Sequence, residues 1–214
     1  MTEPRVVAED RERIALYKPA ALPVFPPHRE PDQPSLLSWW LQNGGPRLEW
    51  PEGYTGGIAH RLDNRTDGLV IVARDPAALQ RLRASFASGQ LRKFYLFRSA
   101  AEVSFDQELC TLPIAHHQKK KDRMVVKNGP RSWHRGNWYP AWTQFTRLQP
   151  GLWQAEIRTG VMHQIRVHAA AVGLPLDDDA IYGGAEGSYL LRHYKIIGPD
   201  WQFLLDVTND YHLG

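Results

Sequence analysis

An α+β fold is the class this 214-residue sequence predicts, with a central mixed, largely antiparallel sheet flanked by helices and loops. Three observations lead there. Strand-like runs outnumber helical ones, and no β-α-β alternation of the kind that builds a parallel sheet recurs. Hydrophobic residues make up 43% and charged residues 23%, ordinary for a globular chain long enough to bury one core. No internal repeat or low-complexity tract divides it, so one domain over residues 1–214 is expected.

The elements follow in order. Residues 5–18 enter as a strand, with Ile14-Ala15-Leu16-Tyr17 ending at Lys18-Pro19. Pro19, Pro23, Pro26, Pro27, Pro31 and Pro34 then rule out a regular element, since each removes an amide donor. Ser35 is placed to cap a helix through Leu36, Leu37, Trp40 and Leu41 that stops at Gly44-Gly45. Leu69–Ala73 reads as a strand. Asp75-Pro76 is a cap followed by a first-turn proline, and Leu79, Leu82 and Phe86 recur at helical spacing before Gly89. Lys93–Phe97 is a short, aromatic-rich strand.

Residues 115–137 are polar and basic, with Met124-Val125-Val126 as a strand inside them. Trp142–Leu148 and Trp153–Arg158 are strands joined at Pro150-Gly151. His163–Val172 reads as a helix closed by Gly173, although alternation from Ile157 to Val167 competes with it. Trp201–Val207 is the last strand.

The net charge of +3 and pI near 9.0 permit a polyanionic partner without requiring one. Eight Trp and eight Tyr serve mostly the core, with some available to stack on bases. The single Cys110 excludes an internal disulfide and fits a reducing compartment; between Leu109 and Leu112 it reads as buried and inert. No apolar leader or membrane-length run is present, so a cytoplasmic protein without membrane contact is expected.

Three positions stand out for chemistry: Asp63, Tyr95 and Arg166. Asp63 lies between Arg61 and Arg65 at a strand entrance, where an anion can be held rigidly yet stay open to a ligand. Those arginines could also grip a phosphodiester. A metal is not expected. His163 and His168, five apart on a helix, point to different faces, and His116-His117 stand beside lysines that repel a cation. No phosphate-cradling glycine loop, Ser-His-Asp order or pair of catalytic carboxylates is found, which disfavours nucleotide hydrolysis and redox chemistry.

The contexts of these positions resemble one family, the RluA-type pseudouridine synthases. His60-Arg61-Leu62-Asp63 with Thr66-Asp67-Gly68 is similar to its catalytic motif His-Arg-Leu-Asp-x-x-Thr-Ser-Gly. Lys93-Phe94-Tyr95 resembles its Lys-x-Tyr strand. Thr159-Gly160-Val161-Met162-His163-Gln164-Ile165-Arg166-Val167-His168 resembles Thr-Gly-Arg-x-His-Gln-Ile-Arg-x-His. Pro175 to Gly183 resembles Pro-Ile-x-Gly-Asp-x-x-Tyr-Gly, and Lys18-Pro19-Ala20-Ala21 resembles the opening Lys-Pro-x-Gly. The likeness spans nearly the whole chain in the correct order.

The resemblance implies a pseudouridine synthase fold with an active-site cleft across the sheet. It also implies isomerisation of uridine in ribosomal or transfer RNA, with no cofactor and no obligate protein partner. Asp63 would be the catalytic carboxylate, acting at C1′ as nucleophile or as the base that starts glycal formation. Arg166 would pair with Asp63, and Tyr95 would lie over the uracil and help remove the C5 proton. The target base must be extruded from its stack, with Arg61 filling the space it leaves. His60, Leu62, Arg65, Thr66, Lys93, His163, Gln164 and Ile165 complete the implied substrate-binding set. Lys119, Lys120, Lys121 and Arg123 would hold the phosphate backbone. The length of the chain leads to the expectation of no separate N-terminal RNA-binding module of the kind many relatives carry, with recognition expected to rest on the catalytic domain.

Three departures stand against the pattern. Asp67 replaces a serine and puts a second anion near Asp63, with Arg65 expected to offset it. Val161 replaces an arginine, and Asp177-Asp178 replaces a glycine region. They leave room for a noncatalytic RNA-binding or RNA-folding factor on the same scaffold. A glycoside or N-glycoside hydrolase is disfavoured, because no second carboxylate presents itself as general acid.

Overall fold

The computed structural model describes residues 3–129 and 133–208, so Arg131 of the basic segment lies outside the described residues. The first elements are β1 (Arg5–Glu9), β2 (Arg13–Lys18), α1 (Leu36–Gln42), β3 (Asp67–Ala73), α2 (Pro76–Ala87) and β4 (Arg92–Arg98). Next come β5 (Gln107–Cys110), β6 (Ile114–His117), β7 (Met124–Val126), β8 (His134–Tyr139), β9 (Thr143–Gln149) and β10 (Leu152–Ile157). The chain ends through α3 (Gln164–Ala171), β11 (Leu191–Ile197) and β12 (Gln202–Leu204). Strands dominate, as an α+β class requires.

The chain divides into two compact units, Met1–Leu91 with Arg192–Gly214, and Arg92–Leu191. The second is therefore an insertion into the first. In the first unit β1, β2 and β3 pair antiparallel in sequence, while β11 adds to β3 in parallel and β12 to β11 antiparallel. This mixture is what the absence of a β-α-β repeat predicts. All seven residues of β3 are buried, which explains its unbroken apolar run. Ser35 caps α1 by accepting from the Ser38 amide at 3.1 Å, and Ser38 returns the bond to the Ser35 amide at 2.9 Å. Asp75 accepts from the Ala78 amide at 2.8 Å ahead of α2, whose Ala78 and Leu79 pack on Ala73.

In the second unit β4, β10, β9 and β5 form one antiparallel run, and β7, β6 and β8 form a separate three-stranded sheet. Phe97 meets Phe145 edge to face at 5.8 Å, and Trp153, fully buried, pairs with Phe97 across β4 and β10. Helix α3 prevails over the alternating pattern because Gln164 through Ala169 are all buried. Neither periodicity then has a solvent face to report on. Cys110 is buried, and burial pushes its thiol up. Among the described residues no helix is long and apolar enough to cross a membrane.

Candidate active site

Asp63 occupies the first position of a tight turn in which the Thr66 amide donates to the Asp63 carbonyl at 3.0 Å. Its side chain is half-buried, with Arg61 and Arg65 exposed on either side. Leu62 and Thr66, both buried, peg the turn to the first unit. They act as anchors, whereas Arg61 and Arg65 reach solvent. His60 accepts from the Ile71 amide through Nε2 at 3.0 Å, which leaves its proton on Nδ1 and ties the root of the loop to β3. Its ring lies 5.2 Å from Phe86 and 5.7 Å from His193.

A buried cation lies against this turn within the first unit. Lys18 is wholly inaccessible, and its Nζ donates to the carbonyls of Pro19 at 2.9 Å, Leu22 at 2.8 Å and Asn64 at 3.3 Å. The Ala21 amide also donates to the Asn64 carbonyl, at 2.8 Å. One ammonium thus joins the proline-rich loop to the residue that follows Asp63. Burial lowers its pKa to about 8, although the charges of Asp67 and Asp63 pull the other way. Lys18 was noted in sequence only as part of a strand exit. A lysine beside a proline gave no sign that its charge would be internal.

Asp67 is neutralised by a residue the sequence did not suggest. The expected offset was Arg65, but Arg65 is exposed, and Arg192 on β11 makes the pair through Nη2 at 2.7 Å and Nε at 2.9 Å. The parallel register sets Arg192 beside Asp67, so β11 decides the partner. Tyr17 donates to the same carboxylate oxygen at 3.0 Å, and burial with that neighbouring anion lifts its phenol to about 12. Gly68 follows with φ of 115°; a Cβ there would run into the His193 backbone.

In the second unit Tyr95 is buried on β4 opposite Ala155. Arg166 is buried on α3 and grips Asp179 in a bidentate pair, Nε at 2.6 Å and Nη2 at 2.8 Å. Tyr182 lies with its ring centroid 5.0 Å from the guanidinium, and its hydroxyl meets His163 Nδ1 at 2.9 Å and accepts from the Met124 amide at 2.9 Å. Asp179 and Tyr182 stood inside the fourth motif without an assigned role. His163 takes φ of 54° and turns the chain into α3.

Gln164, Ile165 and Lys93 hold the motif together from inside. Gln164 donates to the Trp142 carbonyl at 2.9 Å and Thr143 Oγ1 at 3.1 Å, and accepts from Thr159 Oγ1 at 2.8 Å and the Val161 amide at 3.1 Å. That uses the full capacity of an amide, so it is a brace. Lys93 is buried with Nζ on the Thr159 carbonyl at 2.8 Å, and burial lowers its pKa to about 8. Ile165 is buried as well. Lys119, Lys120 and Lys121 are exposed; Arg123 is half-buried near the Tyr182 ring at 5.8 Å. His168 turns to Thr143 and the Leu112 carbonyl rather than toward His163.

The remaining departures have structural counterparts. Val161 packs with Tyr182 against Ile114, Met124 and Val167, where an arginine's charge would be unwelcome. Asp178 stands where the motif has glycine and adopts φ of 55°; Ala21, also at a motif glycine, adopts 64°. Both keep a backbone shape suited to the residue they replaced.

The likeness to known proteins agrees with these features. A family model described as RNA pseudouridylate synthase matches residues 12–171. Over 84% of its length the chain is 33% identical to ribosomal large subunit pseudouridine synthase D of Nitrosomonas europaea, spanning 49% of that protein. It is 28% identical to an uncharacterized RNA pseudouridine synthase of Aquifex aeolicus over 98% of this chain and 64% of that one. A chloroplastic RNA pseudouridine synthase 2 of Arabidopsis thaliana matches at 31% over 72% of this chain and 37% of its own. The chain thus spans less than two thirds of each of these relatives.

Among solved structures, human RNA pseudouridylate synthase domain containing 1 superposes with a TM-score of 0.76, covering 96% of this chain and 84% of that one at 19% identity. Human RNA pseudouridylate synthase domain containing 4 gives 0.69, with 94% and 87% covered at 18% identity. At such identities the likeness speaks for the fold, which is that of the pseudouridine synthases. The match across most of the sequence, on a scaffold of that fold, means that this chain belongs to the RNA pseudouridylate synthase family.

Proposed function

We propose that the chain isomerises specific uridines of structured RNA, ribosomal or transfer, to pseudouridine without a cofactor. The observation that carries this reading is Asp63, half-buried between two exposed arginines on a turn stapled by a buried lysine, in a chain of this family. The reaction exchanges a C–N glycosidic bond for a C–C bond at C1′. Asp63 engages the ribose, either attacking C1′ or removing the proton that starts glycal formation. Arg166, gripped by Asp179, is the cation this reading assigns to favouring the ionised form of Asp63. Tyr95 lies over the uracil and assists removal of the C5 proton.

Arg61 occupies the gap left by the extruded base, and Arg65 with Lys119, Lys120, Lys121 and Arg123 holds phosphates. A cytoplasmic setting fits a chain whose single cysteine is free and buried. Tritium release from RNA containing 5-tritiated uridine tests the reading. Wild type should release it, and Asp63→Asn should lower release at least about 10³-fold while RNA affinity stays within about twofold. Binding without release by the wild type would instead identify a noncatalytic RNA-binding factor, and free uracil as product a hydrolase.

A further inference from the structure

The most exposed large apolar side chain among the described residues is Trp133, 68% accessible, just ahead of β8. An isolated surface tryptophan would mean little. This one lines a cavity of about 250 Å³ with His117, Gln118 and Lys119. Its backbone is held, since the Gln118 amide donates to the Trp133 carbonyl at 3.2 Å where β6 and β8 part. The opposite wall is held as well. His117 Nδ1 accepts from the Lys119 and Lys120 amides, both at 3.1 Å, and closes the turn that presents the lysines. Lys119, Lys120, Lys121, Arg123 and Lys127 face a single acid, Asp122, between residues 117 and 129.

We propose that this cavity is a nucleobase-stacking subsite for a single-stranded nucleotide of the RNA, separate from the uridine that reacts. The indole offers a face on which any base can stack, and the lysine turn meets the phosphate beside it. Its lining of His117, Gln118, Lys119 and Trp133 has no carboxylate, so a base held there is bound and not converted. The volume falls just under the range of about 300–1,000 Å³ typical of drug-sized ligands, which suits one ring system and not a helix. The subsite rests on the RNA reading above. It adds a preference for RNA with an unpaired nucleotide near the target.

Binding of a single-stranded RNA octamer of mixed sequence, and of the same octamer with one abasic residue placed in turn at each position, tests it in the Asp63→Asn background, where no turnover intervenes and the protein with Trp133 intact serves as wild type. Expected with the intact oligomer is quenching of tryptophan emission that Trp133→Phe removes, while Trp133→Phe keeps affinity within about threefold. Trp133→Ala should weaken binding by about tenfold. With the abasic oligomer shifted across all positions, one register should bind about tenfold weaker to wild type and equally to Trp133→Ala. Equal affinity of wild type and Trp133→Ala for intact RNA overturns the subsite. So does an equal loss in every abasic register, which would leave Trp133 a scaffold residue or a contact for protein. Tritium release in the wild-type background is read separately, so a failed subsite leaves the isomerase reading standing, and the reverse.

Discussion

The turn at Asp63 and the turn at Lys119–Lys121 are both cationic loops at strand ends, yet they are built in opposite ways. The first is fixed from beneath by Lys18, Leu62, Thr66 and the Asp67–Arg192 pair, all buried or nearly so. The second is exposed along its length and is tied by one imidazole nitrogen and short backbone bonds. On the proposed reading the difference would match two tasks. A carboxylate assigned to one carbon of a sugar would lose about 10²-fold in rate when displaced by about 1 Å. Lysines assigned to phosphates would act as compact charges and tolerate freedom.

The strongest challenge to that contrast is Asp67→Asn. It leaves the Arg192 guanidinium without its anion in a buried place, and stability should fall by about 3–5 kcal/mol in urea unfolding. Arg192→Met added to Asp67→Asn should restore a large part of the loss. If Asp67→Asn alone is silent, the Asp63 turn is not fixed by this pair.

Lys18→Met comes next. The Pro19 and Leu22 carbonyls lose the Lys18 donor, and the Asn64 carbonyl keeps only the Ala21 amide. The expected cost is about 2–4 kcal/mol near neutrality, with a drop in kcat larger than any rise in KM. The pH dependence has a definite sign. The folded pKa of about 8 lies below the ordinary lysine value of 10.5, so between the two the unfolded chain holds a proton the folded chain has released. Wild-type stability therefore gains from Lys18 as pH rises through that window. Measured from about pH 7.5 to 9.5, the rise should be smaller in Lys18→Met by the share Lys18 supplies. Lys93, also near 8, contributes equally to both proteins, and Tyr17 acts only above about 10, with the opposite sign.

Replacing Lys119, Lys120 and Lys121 by Ala probes the looser turn. The melting temperature should stay within about 2 °C, because exposed lysines contribute little to the fold. The slope of log affinity against log salt should shrink by about two for single-stranded RNA. A melting loss comparable to that of Lys18→Met would erase the distinction between the loops. The smallest effect is expected from Ala21→Gly, where removing Cβ from a residue at φ of 64° should stabilise by about 0.5–1 kcal/mol.

Much of the fold was legible because local chemistry and tertiary context agreed. Ser35 and Asp75 cap the helices they precede, and the apolar runs at Leu69 and Phe94 became β3 and β4. Strand β11 was not foreseen, because Arg192, His193 and Lys195 interrupt its apolar residues and hide a strand pattern. Arg192 and His193 are internal: Arg192 meets Asp67, and His193 bonds the Leu69 carbonyl at 2.6 Å. Strands β5 and β8 were missed for a related reason. Gln107-Glu108-Leu109-Cys110 shows no polar–apolar alternation in sequence, and β8 is exposed or half-buried throughout.

The candidate site divides along the same line. Asp63, Tyr95 and Arg166, the proposed reactive groups, stood out because the motifs that carry the family likeness are short and contiguous in the chain. What braces them did not. Lys18 meets Asn64 across 46 positions, Arg192 meets Asp67 across 125, and Arg166 meets Asp179 across 13. By itself the amino-acid order determined the caps, the turns, the apolar strands and the identity of the acidic group. Only the tertiary structure decided which charges would be internal and which partner would neutralise each. An ion's partner is set by where strands pair in space, and a buried charge looks no different in sequence from one facing water.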